Sequence, residues 1–93
     1  MDERVKGRTD TGFEFDIPRT VLDDVEVVEA VVELEEKGDP TAITTLCNKL
    51  LGTDGKKRLY KHVKQEDGRV PIEATIKEVA EILKAFGKAG KNS

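Results

Sequence analysis

The sequence predicts a mainly α, small α+β domain: an N-terminal β-hairpin followed by about four packed α-helices. Three observations carry this. Phe13, Phe15 and Ile17 alternate with Glu14 and Asp16, the period-2 pattern of a half-buried strand. Ile43, Leu46, Cys47, Leu50 and Leu51 recur at i, i+3, i+4, i+7 and i+8, the apolar stripe of an amphipathic helix. Gly38, Gly52, Gly87, Pro40 and Pro71 then fall where helices would stop and restart. The expected layout is a single domain over 1–87, with the hairpin at 4–17 and helices at 21–37, 40–51, 54–64 and 71–86. A flexible tail is expected over 88–93.

The hairpin turn is Thr9-Asp10-Thr11-Gly12, where Asp can bond locally and Gly tolerates positive φ. The first strand has only Val5 as a clear apolar residue, so it is expected to fray. Pro18 closes the second strand, because it cannot donate a ladder hydrogen bond. For the first helix, Thr20-x-x-Asp23 and Asp23-x-x-Glu26 are overlapping capping patterns. Leu22, Val25, Val28, Val32 and Leu34 are expected to face the core, with Glu26, Glu29, Glu33 and Glu36 opposite. The β-branched run over 25–34 also fits a strand, and the helical spacing of the acids decides for helix. Asp39-Pro40 restarts the chain as an N-cap acid with Pro at the first helical position.

Gly52 ends the second helix, and a shorter third one should turn Leu59, Tyr60 and Val63 inward. Asp67-Gly68 is a strong turn dipeptide. After Pro71, Ile72, Ile76, Val79, Ile82, Leu83 and Phe86 form the expected buried stripe of the last helix. Glu73 and Lys77 stand at i,i+4 in the favourable order, and Gly87 is the expected cap.

Composition excludes several classes. The chain has 93 residues, 38% of them charged, and a net charge of −3. No run approaches the ~18 apolar residues of a membrane helix, and no charged start leads into an apolar stretch of about 7–15 residues, so no secretory signal is expected. A single Cys builds neither an internal disulfide framework nor a Cys-rich zinc site. The acidic balance argues against a protein held mainly by phosphate contacts. A cytoplasmic chain without membrane partners is therefore expected. Only 37% of residues are apolar and there is no Trp. Each buried aliphatic side chain contributes about 1.5–3 kcal/mol, against roughly 1–2 kcal/mol of backbone entropy per residue. That balance is thin, and assembly with a partner or a second copy would help it.

Each residue type able to do chemistry has a plainer structural reading. His62 is the only His and lacks a partner of its kind, so it reads as a surface residue. Cys47 lies inside the apolar stripe and reads as a small core hydrophobe. Asp23, Asp24, Glu26, Glu29, Glu33, Glu35 and Glu36 lack Ca²⁺-loop spacing and read as a solvated face. Lys56, Lys57, Arg58, Lys61 and Lys64 form a basic patch that could touch phosphates, but only Tyr60 lies among them as an aromatic. The alternative is that this patch faces the acidic first helix, within the fold or between subunits. Gly52-x-x-Gly55-Lys56-Lys57 lacks the spacing of a phosphate loop. No Ser-His-Asp set, GxSxG or HExxH occurs. The expectation is no enzyme, no cofactor, no metal, and catalytic, cofactor-binding and metal sites all empty; partner-binding residues are not legible.

Leu22-Asp23-Asp24, Glu29, the Leu50-Leu51-Gly52 ending, and Asp67-Gly68-Arg69-Val70-Pro71 before an amphipathic helix together resemble a known family. It is that of the small tail assembly chaperones of long-tailed phages and prophages of Gram-positive bacteria. The ending Gly90-Lys91-Asn92-Ser93 also looks like that of their short form. The resemblance runs over about 12–93, and Val25 departs from it, since members often carry an aromatic there. It implies a non-catalytic protein that binds the tape measure protein before tail tube subunits polymerise round it, and that is absent from the mature virion. It also implies a longer frameshifted product whose extension recruits tail tube protein. Alternatives are a structural head–tail or virion component, and a small nucleic-acid-binding regulatory module using the basic third helix.

Overall fold

The computed structural model describes residues 3–91, with side chains to residue 87. The hairpin forms as the alternation requires. Strands β1 (Arg4–Arg8) and β2 (Glu14–Pro18) pair antiparallel, with Val5 opposite Ile17 and Gly7 opposite Phe15. The turn closes through Gly12 N–H to Thr9 O at 2.9 Å, with Gly12 at φ 99°. Val5, Phe13, Phe15 and Ile17 are all buried. Gly7 is required by packing: a Cβ there would lie 2.7 Å from Cζ of Phe15, whose ring covers the bare backbone. β1 pairs along its whole length, helped by Arg4, which bonds both the carboxylate and the carbonyl of Asp16.

A short 3₁₀ turn, Arg19–Leu22, leads into α1 (Val25–Glu35). The helix starts later than the capping patterns predict. Asp23 N–H closes the 3₁₀ turn on Thr20 O, and Asp24 is the N-cap, accepting from Glu26 N–H at 2.9 Å. The buried face of α1 also differs from expectation. Val27 and Ala30 are buried, with Val31 and Leu34 packed beside them, whereas Leu22, Val25, Val28 and Val32 are exposed. Gly38, at φ 66°, then reverses the chain. Asp39 Oδ1 holds Thr41 through its N–H at 3.0 Å and its hydroxyl at 2.7 Å.

Among the described residues there are three α-helices rather than the expected four. The expected second and third helices abut as one element, α2 (Ala42–Val63), broken at Gly52 where φ 74° and ψ 175° are not helical. Gly52 thus marks the break the sequence places there, but without a connecting loop. Ala42, Ile43, Leu46, Cys47, Leu50, Leu59 and Val63 are buried along it, and Tyr60 is half-buried. The turn at 65–69 closes through Gln65 N–H to Arg69 O at 2.8 Å.

The last helix, α3 (Ile72–Lys91), passes through Gly87 instead of stopping there. A Gly inside a helix costs about 1 kcal/mol and does not by itself end one. Helix therefore continues into the segment expected to be a tail; residues 92–93 lie outside the described residues. Val79, Ile82 and Phe86 are buried, Ile76 and Leu83 half-buried, and Ile72 is 57% exposed. Glu73 and Lys77 form no ion pair with each other. The hairpin, α2 and α3 enclose one core, and α1 lies along α2. Among the described residues no helix is long and apolar enough to cross a membrane.

Candidate functional site

Two places could carry function: a polar cluster under the hairpin tip, and an apolar groove between α1 and α3.

The polar cluster gathers residues from three elements. The turn places Thr11 so that its hydroxyl donates to Glu78 Oε2 of α3 at 2.8 Å. The same oxygen lies 2.9 Å from His62 Nε2 of α2 and 3.3 Å from the Thr9 hydroxyl. A hydroxyl has one proton to give, so towards His62 it accepts. Asp10 N–H donates to Glu81 Oε1 at 2.8 Å, a second link from the turn to α3. Glu78 is only 3% exposed, and its Oε1 has no hydrogen-bond partner. Phe13 stands between His62, with ring centroids 5.5 Å apart, and Arg58, whose guanidinium lies 4.6 Å from the ring centre.

A hydroxyl, an imidazole and a carboxylate together invite a nucleophile reading. The connectivity does not fit it. In an activated set the base stands in the middle, oriented by a third group. Here the hydroxyl stands in the middle and Glu78 bonds to it, not to the imidazole. The cluster fastens the hairpin tip onto α2 and α3. His62 is exposed, as a surface residue should be, but its ring is engaged in this fastening. Sequence reasoning missed Glu78, because a glutamate on a helix reads as solvated; its place four residues before Ile82 and eight before Phe86 was the signal that could have marked it.

The remaining candidates are placed as follows. Cys47 is fully buried, and burial pushes its thiol up to about 11, opposed in part by Lys56. It is a packed core group held in the thiol form. The acids of α1 and the base of α2 do not face each other in bulk. One lysine outside the basic patch, Lys49, bridges them, at 3.0 Å from Asp24 and 2.6 Å from Glu26. The Lys49 hydrogen bond, then that from Glu26 N–H, holds the Asp24 carboxyl below the usual range. Of the basic patch, Arg58 bonds Glu14 O and lies over Phe13, and Lys56 lies 5.9 Å from the Tyr60 ring centre. Lys57, Lys61 and Lys64 face solvent. Among the described residues, no group of three or more His, Cys, Asp or Glu is placed to hold a metal ion.

The groove is about 230 Å³, lined by Val31, Leu34 and Glu35 of α1, Leu46 of α2, and Ile76, Val79, Ala80 and Leu83 of α3. It exists because α1 and α3 both pack on α2 without closing on each other, leaving Leu46 as its floor. The concavity continues along α3 past Ile76 and Ala80 to Glu73 and Lys77. Around α1, at about 100° per residue, the order from the buried centre is Val27, Val31, Glu35, Val28, Val32, Val25. The exposed valines, Val25 at 72% and Val28 at 54%, therefore continue the groove wall outward. Most helices need an apolar stripe of somewhat more than 100° to face a core; on α1 the valines reach about 160° round from Val27 to Val25, with Glu35 set between Val31 and Val28. The surplus lies in water.

Compared with protein-family models, curated proteins and solved structures, the chain matches none.

Proposed function

We propose that this chain is a non-catalytic tail assembly chaperone of a long-tailed phage or prophage, which binds the helical tape measure protein and keeps it soluble until tube subunits assemble. The observation that carries the reading is the surplus apolar face of α1 beside an open apolar groove. Soluble single domains rarely leave contiguous apolar surface exposed without using it. A groove between helices with an apolar wall is the form in which amphipathic helices are taken up. A long client repeats such helices, so modest contacts by many copies would add through avidity. The motif order from Leu22-Asp23-Asp24 to Val70-Pro71 supplies the family; the groove supplies a means.

Co-expression with a tape measure protein from the same genome tests the reading. A soluble complex that co-purifies is expected. An insoluble client whose solubility the chain does not change would overturn it. Purified particles separate this reading from that of a structural virion component, since a chaperone is absent from them.

Nucleic-acid binding is favoured by one observation: Lys57 and Lys61 are exposed at i and i+4 on α2, and Lys64 is exposed at its C-cap. A gel shift at low salt, where phosphate contacts are strongest, decides it. No shift is expected.

A further inference from the structure

We infer that the α1–α3 groove, with the valine stripe beside it, is a docking site for an amphipathic helix carrying Lys or Arg along the flank that meets α1. The inference rests on the chaperone reading and specifies the chemistry of the client.

α1 holds Glu26, Glu29, Glu33 and Glu35 and not one basic residue. Only Glu26 is neutralised, by Lys49. Among the described residues Glu29, Glu33 and Glu35 form no ion pair. Glu35 stands in the groove wall itself, and Glu29 and Glu33 follow Val25 round the helix. A helix laid over Val28, Val32 and the groove therefore has carboxylates both beneath it and along its α1 edge. The opposite wall is mixed, with Glu73, Lys77 and Lys84 on α3. The charge asymmetry belongs to the α1 side.

A second copy of this chain does not fit the site. Two α1 helices paired about a twofold axis would bring together two helices that each carry Glu26, Glu29, Glu33 and Glu35 and no basic residue, and like charges at an interface are repulsive. The basic half of α2 cannot serve instead, because Leu59 and Val63 are already buried in its own core. Among the described residues the exposed large apolar ones are Leu22, Val25, Val28, Val32 and Ile72, and none belongs to a basic helix face. The occupant is therefore a different chain: apolar at i, i+3, i+4 and i+7, and basic on one flank.

Fluorescence anisotropy tests this with a labelled designed peptide of about 18 residues, long enough to span five turns. One version carries Lys and Arg flanking a leucine stripe; the other carries Glu at the same positions. The basic peptide should bind saturably and more weakly as salt rises, and the acidic one at least about tenfold more weakly. Val28→Ser with Val32→Ser, which removes apolar surface without adding charge, should lose about tenfold in affinity for the basic peptide; the two positions are 54% and 38% exposed, so circular dichroism should keep the helical signal. Glu29→Lys with Glu33→Lys should reverse the charge preference. Equal binding of both peptides, no saturable binding of either, or an affinity that the two valine substitutions leave intact would overturn the inference. So would a self-association in sedimentation that those substitutions abolish, which would make a second copy the occupant. The two proposals fail separately. A tape measure protein that co-purifies while both peptides fail leaves the function without this groove. A basic peptide that binds while no tape measure protein co-purifies leaves the groove without this function.

Discussion

α3 and α1 spend their apolar residues differently. On α3, Val79, Ile82 and Phe86 face the core and are buried, and Ile76 and Leu83 line the groove. Of its large apolar residues, only Ile72 is more exposed than covered. On α1, five valines occur within eight positions, and only Val27 is fully buried. The difference teaches which helix is built for the fold and which keeps surface in reserve. Stability should follow burial, and any function of α1 should follow what burial leaves out.

The largest expected break is Ile82→Ala. Its side chain is fully buried, and removing such a group costs about 2–5 kcal/mol. Denaturant unfolding should show a large fraction of the domain's stability gone. Next is Gly7→Ala, where the new methyl meets the Phe15 ring at 2.7 Å; overpacking of this kind costs about 1–3 kcal/mol. A variant as stable as the parent would mean that the ring is not seated on the strand. Thr11→Ala removes the one donor to the buried Glu78 carboxylate. The cost should be about 1–3 kcal/mol, with the hairpin amides exchanging faster than those of α3.

A smaller effect is tied to pH. Asp24 is held below the usual carboxylate range, chiefly by Lys49. A group with a lowered folded value contributes stability that is present above its unfolded value of about 4 and is lost as pH falls through the folded one. Lys49→Met should therefore melt slightly below the parent at about pH 7, and the two curves should converge in acid. A gap that persists once Asp24 is protonated in the folded as well as the unfolded state would assign the effect to packing instead. The smallest stability change is expected from Val28→Ser, within about 0.5 kcal/mol, because the residue is already in water.

Much of the fold was legible. Alternation marked the hairpin and Gly52 the break inside α2; Asp39 was expected as the N-cap with Pro40 the first helical residue, but the helix starts at Ala42 after Thr41, whose N–H and hydroxyl Asp39 holds. The face of α1 was not legible, because valine at 25, 27, 28, 31 and 32 satisfies several helical phases at once. Ala30, small and unremarked, sits in the true buried face. Of the stripe expected to be core, Leu34 packs against the core, whereas Leu22, Val25, Val28 and Val32 are left exposed. Glu78 was hidden for the opposite reason: its burial depends on a turn more than sixty residues away, Thr11 to Glu78. The candidate groove was legible only as parts, since it needs α1 and α3 to pack on α2 without meeting. Val25, the position where the resembling family often has an aromatic, faces solvent at the edge of this surface.

The central claim is that the apolar surface α1 leaves uncovered is a binding surface. Amide chemical-shift mapping with the basic amphipathic peptide tests it most directly. The account predicts perturbations confined to α1 and to the groove side of α3, around Ile76, Ala80 and Leu83. Perturbations centred on Lys57, Lys61 and Lys64, or under the hairpin at Thr11 and His62, would contradict it.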